Sequence, residues 1–301
     1  MNRFLDSRYA ETVERLALGL EPIDGGRRGR VAHAVAITLD GVPRPLSRPE
    51  RRARTERVTV VHPRRETVAG TGLADVLVRI PRHDSCVHAI VHGPATDSPI
   101  DIRIVDPSRR FVPRRLRIPV PTRAQIESAE LGTAPISAAP RVRRPVLFPG
   151  AAYDVSESAT AVRGRVRLAD RPLRWARVEA RRATGPQPGP LLGRAHGDDR
   201  GEFLLVLGEN PGDVGPLVSP LAVRVTVTAP DPVPVPASPS LPHDDPLWDL
   251  PLEPVPAAAA ADPVAEGTQP PPGYDPGRTV SRTIDLPLGR IASESEPFVV
   301  V

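Results

Sequence analysis

Residues 162–207 read VRGRVRLADRPLRWARVEARRATGPQPGPLLGRAHGDDRGEFLLVL, and the alternation in this stretch decides the fold. Gly164 and Val166 share a parity on a first strand, which ends in a turn at 169–171. Pro172-Leu173 leads into a second strand, where Ala176, Val178 and Ala180 alternate with Arg177, Glu179 and Arg181. After a Pro/Gly loop, Asp198-Asp199-Arg200-Gly201 forms a tight turn, and Phe203, Leu205 and Leu207 resume the alternation. Successive side chains on a strand point to opposite faces. An apolar residue at every second position, broken by Gly, Pro and Asp turns, therefore predicts a small antiparallel β-sandwich.

The pattern G-x-V, then P-L-x-x-A-x-V, then D-x-x-G-x-F, closely resembles the carboxypeptidase regulatory-like, or transthyretin-like, domain family. The resemblance runs from Ala161 to about Thr228 and implies a seven-stranded β-sandwich with no chemistry of its own. The strand 221–228 (LAVRVTVT), with Val223, Val225 and Val227 on one side, belongs to it, and 279–288 (TVSRTIDLPL) reads as its last strand.

Outward from this domain, 301 residues leave room for a second one. Forty prolines and 23 glycines keep much of the chain out of helices and central strands. The formal charge of +4 hides an asymmetry: residues 1–200 carry a net of +14 and residues 201–301 a net of −10. All 40 basic side chains are arginine, which removes Schiff-base and lysine-base mechanisms. Arginine clusters at 51–54 and 109–117 lack interleaved aromatics and are balanced by acids, so solvated faces are expected there rather than a nucleic-acid partner. A single cysteine, Cys86, excludes an internal disulfide framework. With no secretory signal and no run of about 18 apolar residues, a cytoplasmic protein is expected, compatible with release as part of a particle.

Residues 1–30 read as an amphipathic helix followed by a tether. Over 6–19, Tyr9, Val13, Leu16 and Leu20 fall on one stripe, with Asp6 or Ser7 as N-cap. That stripe either packs on the first domain or docks on another subunit. Residues 31–121 hold seven candidate strands, at 31–39, 57–61, 66–69, 74–80, 86–91, 100–105 and 112–120, in the architecture of an immunoglobulin-like sandwich. In the last, Val112, Leu116, Ile118 and Val120 share a face and Pro113 marks an edge strand; the Arg-rich stretch 44–57 is an exposed loop. A connector at 122–145, with a helical turn over 122–131, leads to the regulatory-like sandwich at 146–228. A Pro-rich excursion follows at 229–278, and 279–301 form the closing strand and tail. The expected fold is all-β: two tandem sandwiches, a short N-terminal helix and a long Pro-rich disordered segment.

No catalytic motif emerges. There is no P-loop, dinucleotide fingerprint, nucleophile elbow or H-E-x-x-H. His83, Cys86, His88 and His92 invite a zinc assignment, but on a strand His88 and His92 stand about 13 Å apart at about 3.3 Å per residue. Two ligands of one zinc ion, each about 2 Å from it, cannot span that gap. Asp198, Asp199 and Glu202 read as turn formers. No catalytic residue, metal, cofactor or small-molecule substrate is expected.

Residues 230–276 contain 15 prolines in 47 residues, yet Leu247, Trp248, Leu250 and Leu252 cluster within it. The composition predicts no regular secondary structure there, with these four side chains as an anchor. Such a preformed extended peptide suits groove docking. The anchor docks on this chain's own basic sandwiches, with Asp244, Asp245 and Asp249 opposite arginines, or on a partner; the bland alternative is a solvated spacer. The expected function is a non-enzymatic structural or adaptor protein whose partners are other subunits of an assembly. An immunoglobulin-like domain followed by a regulatory-like one, with phrases such as DPSRRFVPRRLRIPV, is similar to accessory proteins of phage-tail-like contractile injection particles. That similarity implies cap, baseplate or accessory work. The alternative is a carbohydrate- or surface-binding sandwich.

Overall fold

The computed structural model describes residues 16–33, 35–39, 65–67, 76–79, 88–91, 99–133, 141–183, 185, 189–208, 219–230, 245–257 and 273–301. Within these the protein is all-β with one short helix. In the first half the strands are β1 (Leu16–Leu20), β2 (Ile23–Asp24), β3 (Ala36–Leu39), β4 (Arg65–Thr67), β5 (Val76–Arg79), β6 (His88–Val91), β7 (Ile100–Val105) and β8 (Arg114–Ile118). The helix α1 (Arg123–Glu130) and two short strands, β9 (Val142–Arg143) and β10 (Val146–Leu147), follow. The second half supplies β11 (Ala161–Leu168), β12 (Arg171–Pro172), β13 (Arg177–Arg182), β14 (Leu191–His196), β15 (Glu202–Val206) and β16 (Leu221–Pro230). Last come β17 (Leu252–Pro254), β18 (Tyr274–Leu286), β19 (Ile291–Ser293) and β20 (Phe298–Val300). No helix among the described residues is long and apolar enough to cross a membrane.

The first sandwich pairs a sheet ordered β4-β5-β6-β1-β9 with one ordered β17-β8-β7-β3. Leu18 and Leu20 from one sheet meet Ile37, Ile100, Ile102, Ile104, Leu116 and Ile118 from the other in a single buried core. The second sandwich faces β14-β13-β16-β18 with β12-β11-β15, whose β11 also pairs with β19 and β20 in parallel. Its core takes Val162, Val166, Phe203, Leu205 and Phe298 from one sheet and Val178, Ala180, Val223, Val225, Val227, Ile284 and Leu286 from the other. For Val166, Val178, Ala180, Phe203, Leu205, Val223, Val225 and Val227 these are the inward parities read from the sequence.

At the turn before β15, the Asp198 carboxylate accepts from the amides of Arg200 (2.8 Å) and Glu202 (2.9 Å), satisfying donors that no strand pairs. Gly201 follows at φ +73°, where an added Cβ would meet the Val166 carbonyl oxygen at 2.6 Å, so only glycine fits without strain. The strand read at 279–288 pairs with β16 as expected: β18 runs antiparallel to it from Leu221↔Leu286 to Thr228↔Thr279, with Pro230↔Tyr274 beyond a bulge. It is not the last, however: the stretch read as a tail supplies β19 and β20, which add to β11, because Phe298 and Val300 are apolar enough to complete the core. The sandwiches touch through the opposite parity of β11 and β15, where Ala161 and Leu204 enter the first core.

Several expectations are corrected. Leu16–Leu20 is a strand paired with β6 and β9, not the end of a helix; Tyr9 and Val13 lie outside the described residues. Leu18 and Leu20 alternate on one face and are both fully buried, with a register irregularity between Leu16 and Leu18; the pairing partners on β6 and β9 settle the choice. The supposed tether is folded. The Asp24 carboxylate accepts from the amides of Gly26 (2.8 Å) and Arg27 (3.0 Å) and from the Tyr153 hydroxyl (2.8 Å), while β2 pairs in parallel with β10. Burial, followed by the bond to Asp24, pushes the Tyr153 phenol up.

The connector's helical turn is a two-turn helix with a capping box: Thr122 Oγ1 accepts from the Gln125 amide and the Gln125 side chain from the Thr122 amide. The connector's end then joins the first sheet as β9. The candidate strand at 57–61, the Arg-rich loop 44–57, His83, Cys86 and His92 lie outside the described residues. The largest correction concerns the Pro-rich excursion, which does contribute a strand, β17, and whose two ends belong to β16 and β18.

Candidate functional site

The strand β17 belongs to a strap, residues 245–257, that crosses both sandwiches. It begins in a turn where the Asp245 carboxylate accepts from the Leu247 amide (2.9 Å) and the Asp245 carbonyl from the Trp248 amide (3.1 Å). Leu250 is buried, in a small cluster with Val112 of the first sandwich and Trp175 of the second; Leu247 packs against it. Trp248 and Leu252 are half-buried. The strap thus lies on this chain's own sandwiches.

Beyond Leu250 the strap runs parallel to β8, with Leu252↔Arg115, Glu253↔Leu116 and Pro254↔Arg117 in register. Pro251 precedes the pairing and Pro254 lies within it, and neither breaks it. The Val255 amide donates to the Arg117 carbonyl (2.9 Å), so the position before it, Pro254, has its missing donor on the side away from β8. A proline excludes a residue from a ladder only where its amide faces the neighbour. The strap makes β8 an interior strand, which corrects the edge expected from Pro113: β17 pairs along the side of β8 away from β7.

Acids four residues apart staple the strap to both bodies. Asp245 pairs with Arg103 on β7 (2.5 Å), and Asp249 with Arg174 of the second sandwich (2.7 Å). The Arg174 N–H groups do not aim at the facing Asp249 oxygen, so that contact is an ion pair without a hydrogen bond. Arg174 donates instead to the Pro246 carbonyl (2.6 Å) and lies 5.2 Å from the Trp175 ring centroid.

Glu253 is the centre of the arrangement. Its carboxylate, 2% exposed, accepts from Arg114 Nε (3.3 Å) and Nη2 and from Arg177 Nη2 (2.7 Å). Arg114, on β8, is fully buried and donates its remaining arm to the Val146 carbonyl (2.8 Å). Arg177, on β13, contacts His196 Nδ1 and sits 5.1 Å from the Tyr274 ring. The Tyr274 hydroxyl donates to the Trp175 carbonyl (2.5 Å), and Phe148 lies against His196. One carboxylate therefore bridges two buried guanidiniums from different sandwiches, and the trio keeps a net charge of +1.

Electrostatics follow from this enclosure. Burial alone would push the Glu253 carboxyl up, but the guanidiniums of Arg114 and Arg177 hold it below its ordinary range. Burial, then the charges of Arg177, Arg114 and Arg194, pushes His196 well below its usual 6.5, so it is a neutral acceptor toward Arg177. Burial raises the Tyr274 phenol to about 12 against the opposing pull of Arg177. Trp175 has φ +61°, a left-handed conformation that costs a bulky residue about 1–3 kcal/mol and persists only where its surroundings over-determine it. Here the strap above, Tyr274 behind and the Asp198 turn beside it do so.

The depressed His196 makes acid sensitivity a testable consequence. The unfolded chain takes up a proton on this residue near pH 6.5, while the folded chain does so only well below it. Its contribution is therefore fully present above the unfolded value and is lost as pH falls, by up to about 1.4 kcal/mol per pH unit. Urea titrations at pH 7 and pH 5 should show this loss in the native chain and a smaller one in His196→Gln. An equal loss in both would remove His196 as its source.

The sequence reading missed Arg114, Arg177, His196 and Glu253. One signal was available: Arg114 occupies the same parity as Val112, Leu116, Ile118 and Val120, so a charge stands in an apolar stripe. An open cleft of about 270 Å³ lies beside Gly164, where the chain leaves β19 after Ser293; Arg163, Arg165, Glu202 and Glu294 line it. Among the described residues no three His, Cys, Asp or Glu side chains are grouped to hold a metal ion. The chain matches no known family model, no curated protein and no solved structure.

Proposed function

We propose that this chain is a non-catalytic structural adaptor, offering two rigidly coupled β-sandwiches to neighbouring subunits of a multi-subunit assembly. The Glu253 junction carries the reading. Its charged groups are shut away from solvent and are consumed in holding the strap across both bodies, an arrangement suited to transmitting load rather than turning over a substrate. We favour a contractile, phage-tail-like particle, with this chain as cap, baseplate or accessory component. One phrase that suggests it contains a hydrogen-bonded turn. In DPSRRF, the Asp106 carboxylate accepts from the amides of Ser108 (2.9 Å) and Arg110 (2.9 Å). The D-x-x-G turn is built on Asp198, which supports reading the second sandwich as a regulatory-like domain.

A carbohydrate-binding module is the less favoured reading, because it needs exposed aromatic platforms. Seven of the ten aromatics, Phe111, Phe148, Tyr153, Trp175, Phe203, Tyr274 and Phe298, are buried. Native lysate separates the two. Tagged protein at its natural level should sediment with a large particle and bring defined subunits with it. Recovery of a lone 32.3 kDa chain from cells that contain such particles would overturn the adaptor reading.

A further inference from the structure

We propose that the seat of the strap is also an exchange site, on which a second copy of this chain lays its own residues 245–257 and so links copies by strand exchange. Complementarity is the first argument. Asp245, Asp249 and Glu253 meet Arg103, Arg174 and the pair Arg114/Arg177, with Leu250 between Val112 and Trp175. A second copy carries the identical strap, so every pair re-forms across chains.

The seat also cannot stay empty at little cost. Without a strap, β8 is an edge strand with unpaired backbone groups, and Arg114 and Arg177 lose the carboxylate that bridges them. An occupant is always favoured; only its chain of origin is free to vary.

Reach is the third argument. Pro230 and Tyr274 are register partners, so the excursion leaves and re-enters the second sandwich at one point. Residues 231–244 and 258–273 are its two arms, and they hold nine prolines. By chain length alone, fourteen residues can span at most about 43 Å at about 3.1 Å per residue. That is about three times the radius of gyration of about 13 Å of a 100-residue domain, a length that lets a strap reach an adjacent copy. Tethering gives the resident strap an effective concentration of about 1 mM, so exchange prevails where copies are packed at a comparable density.

Single-thiol variants test this on the full chain. Both carry Cys86→Ser; one adds Leu252→Cys on the strap and the other Arg115→Cys on β8, its register partner. The two are mixed, warmed to let straps open and oxidised. At about 1 mM the mixed disulfide dimer should exceed either homodimer about tenfold, and it should vanish at about 1 µM. A chain carrying both thiols should close on itself when dilute and link to others when concentrated. Mixed dimers no more abundant than homodimers, or a double-thiol chain that stays monomeric throughout, would overturn the exchange. Pro254→Cys with Arg117→Cys, the next register pair and exposed on both sides, serves if Arg115→Cys fails to fold. These gels use purified protein, so a lone chain in native lysate would sink the adaptor reading and leave the exchange standing.

Discussion

Replacing Glu253 by alanine is expected to destabilise the chain by about 3–5 kcal/mol, the usual cost of removing one partner from a buried ion pair. The loss comes less from the missing attraction than from what is left behind. Arg114, fully buried, and Arg177, 13% exposed at its side chain, would remain as guanidiniums with no counter-charge. Glu253→Gln should recover little, because it restores the shape and not the charge. Replacing all three groups together, as Arg114→Met, Arg177→Met and Glu253→Leu, should fall far closer to the native chain, since no charge is then buried. Equilibrium unfolding in urea checks this. A loss below about 1 kcal/mol for Glu253→Ala would mean that water reaches the junction and screens it.

Phe203→Ala is expected to cost about 3–5 kcal/mol, by removing a buried ring and leaving a cavity. The ring is 4% exposed and lies 5.9 Å from that of Phe298, across the end of the second core. It also covers Gly164 so closely that a Cβ there would overlap its edge. The pairing gives a second, sharper expectation. Gly164→Ala should be destabilising alone and nearly harmless, or favourable, in the Phe203→Ala background, where the methyl group enters the vacated space. Thermal melts should show Phe203→Ala falling by about 10 °C. A fall of a degree or two would place the ring outside the core.

Elements whose evidence is local were legible in the sequence. The parities of β11, β13, β15 and β16 follow from period-two spacing alone, and Val166, Val178, Ala180, Phe203, Leu205, Val223, Val225 and Val227 are buried on the faces it gives them. The turn at Asp198 and the glycine after it were legible for the same reason: their chemistry is satisfied within four residues. Leu16–Leu20 was misread because what makes it a strand lies in partners on β6 and β9.

What the sequence determined by itself is the β character of the chain, the faces of its central strands and the placement of its last long strand across a 43-residue excursion from Pro230 to Tyr274. Each rests on a backbone rule that needs no knowledge of distant residues. Only the tertiary structure decided that the proline-rich excursion is a strap, that β8 is not an edge, and that Arg114 points inward. Arg114 and Glu253 are 139 positions apart, and Arg177 and Glu253 are 76 apart. A charge in an apolar stripe is prohibitively costly until its counter-charge arrives, and nothing local to either residue says that it will.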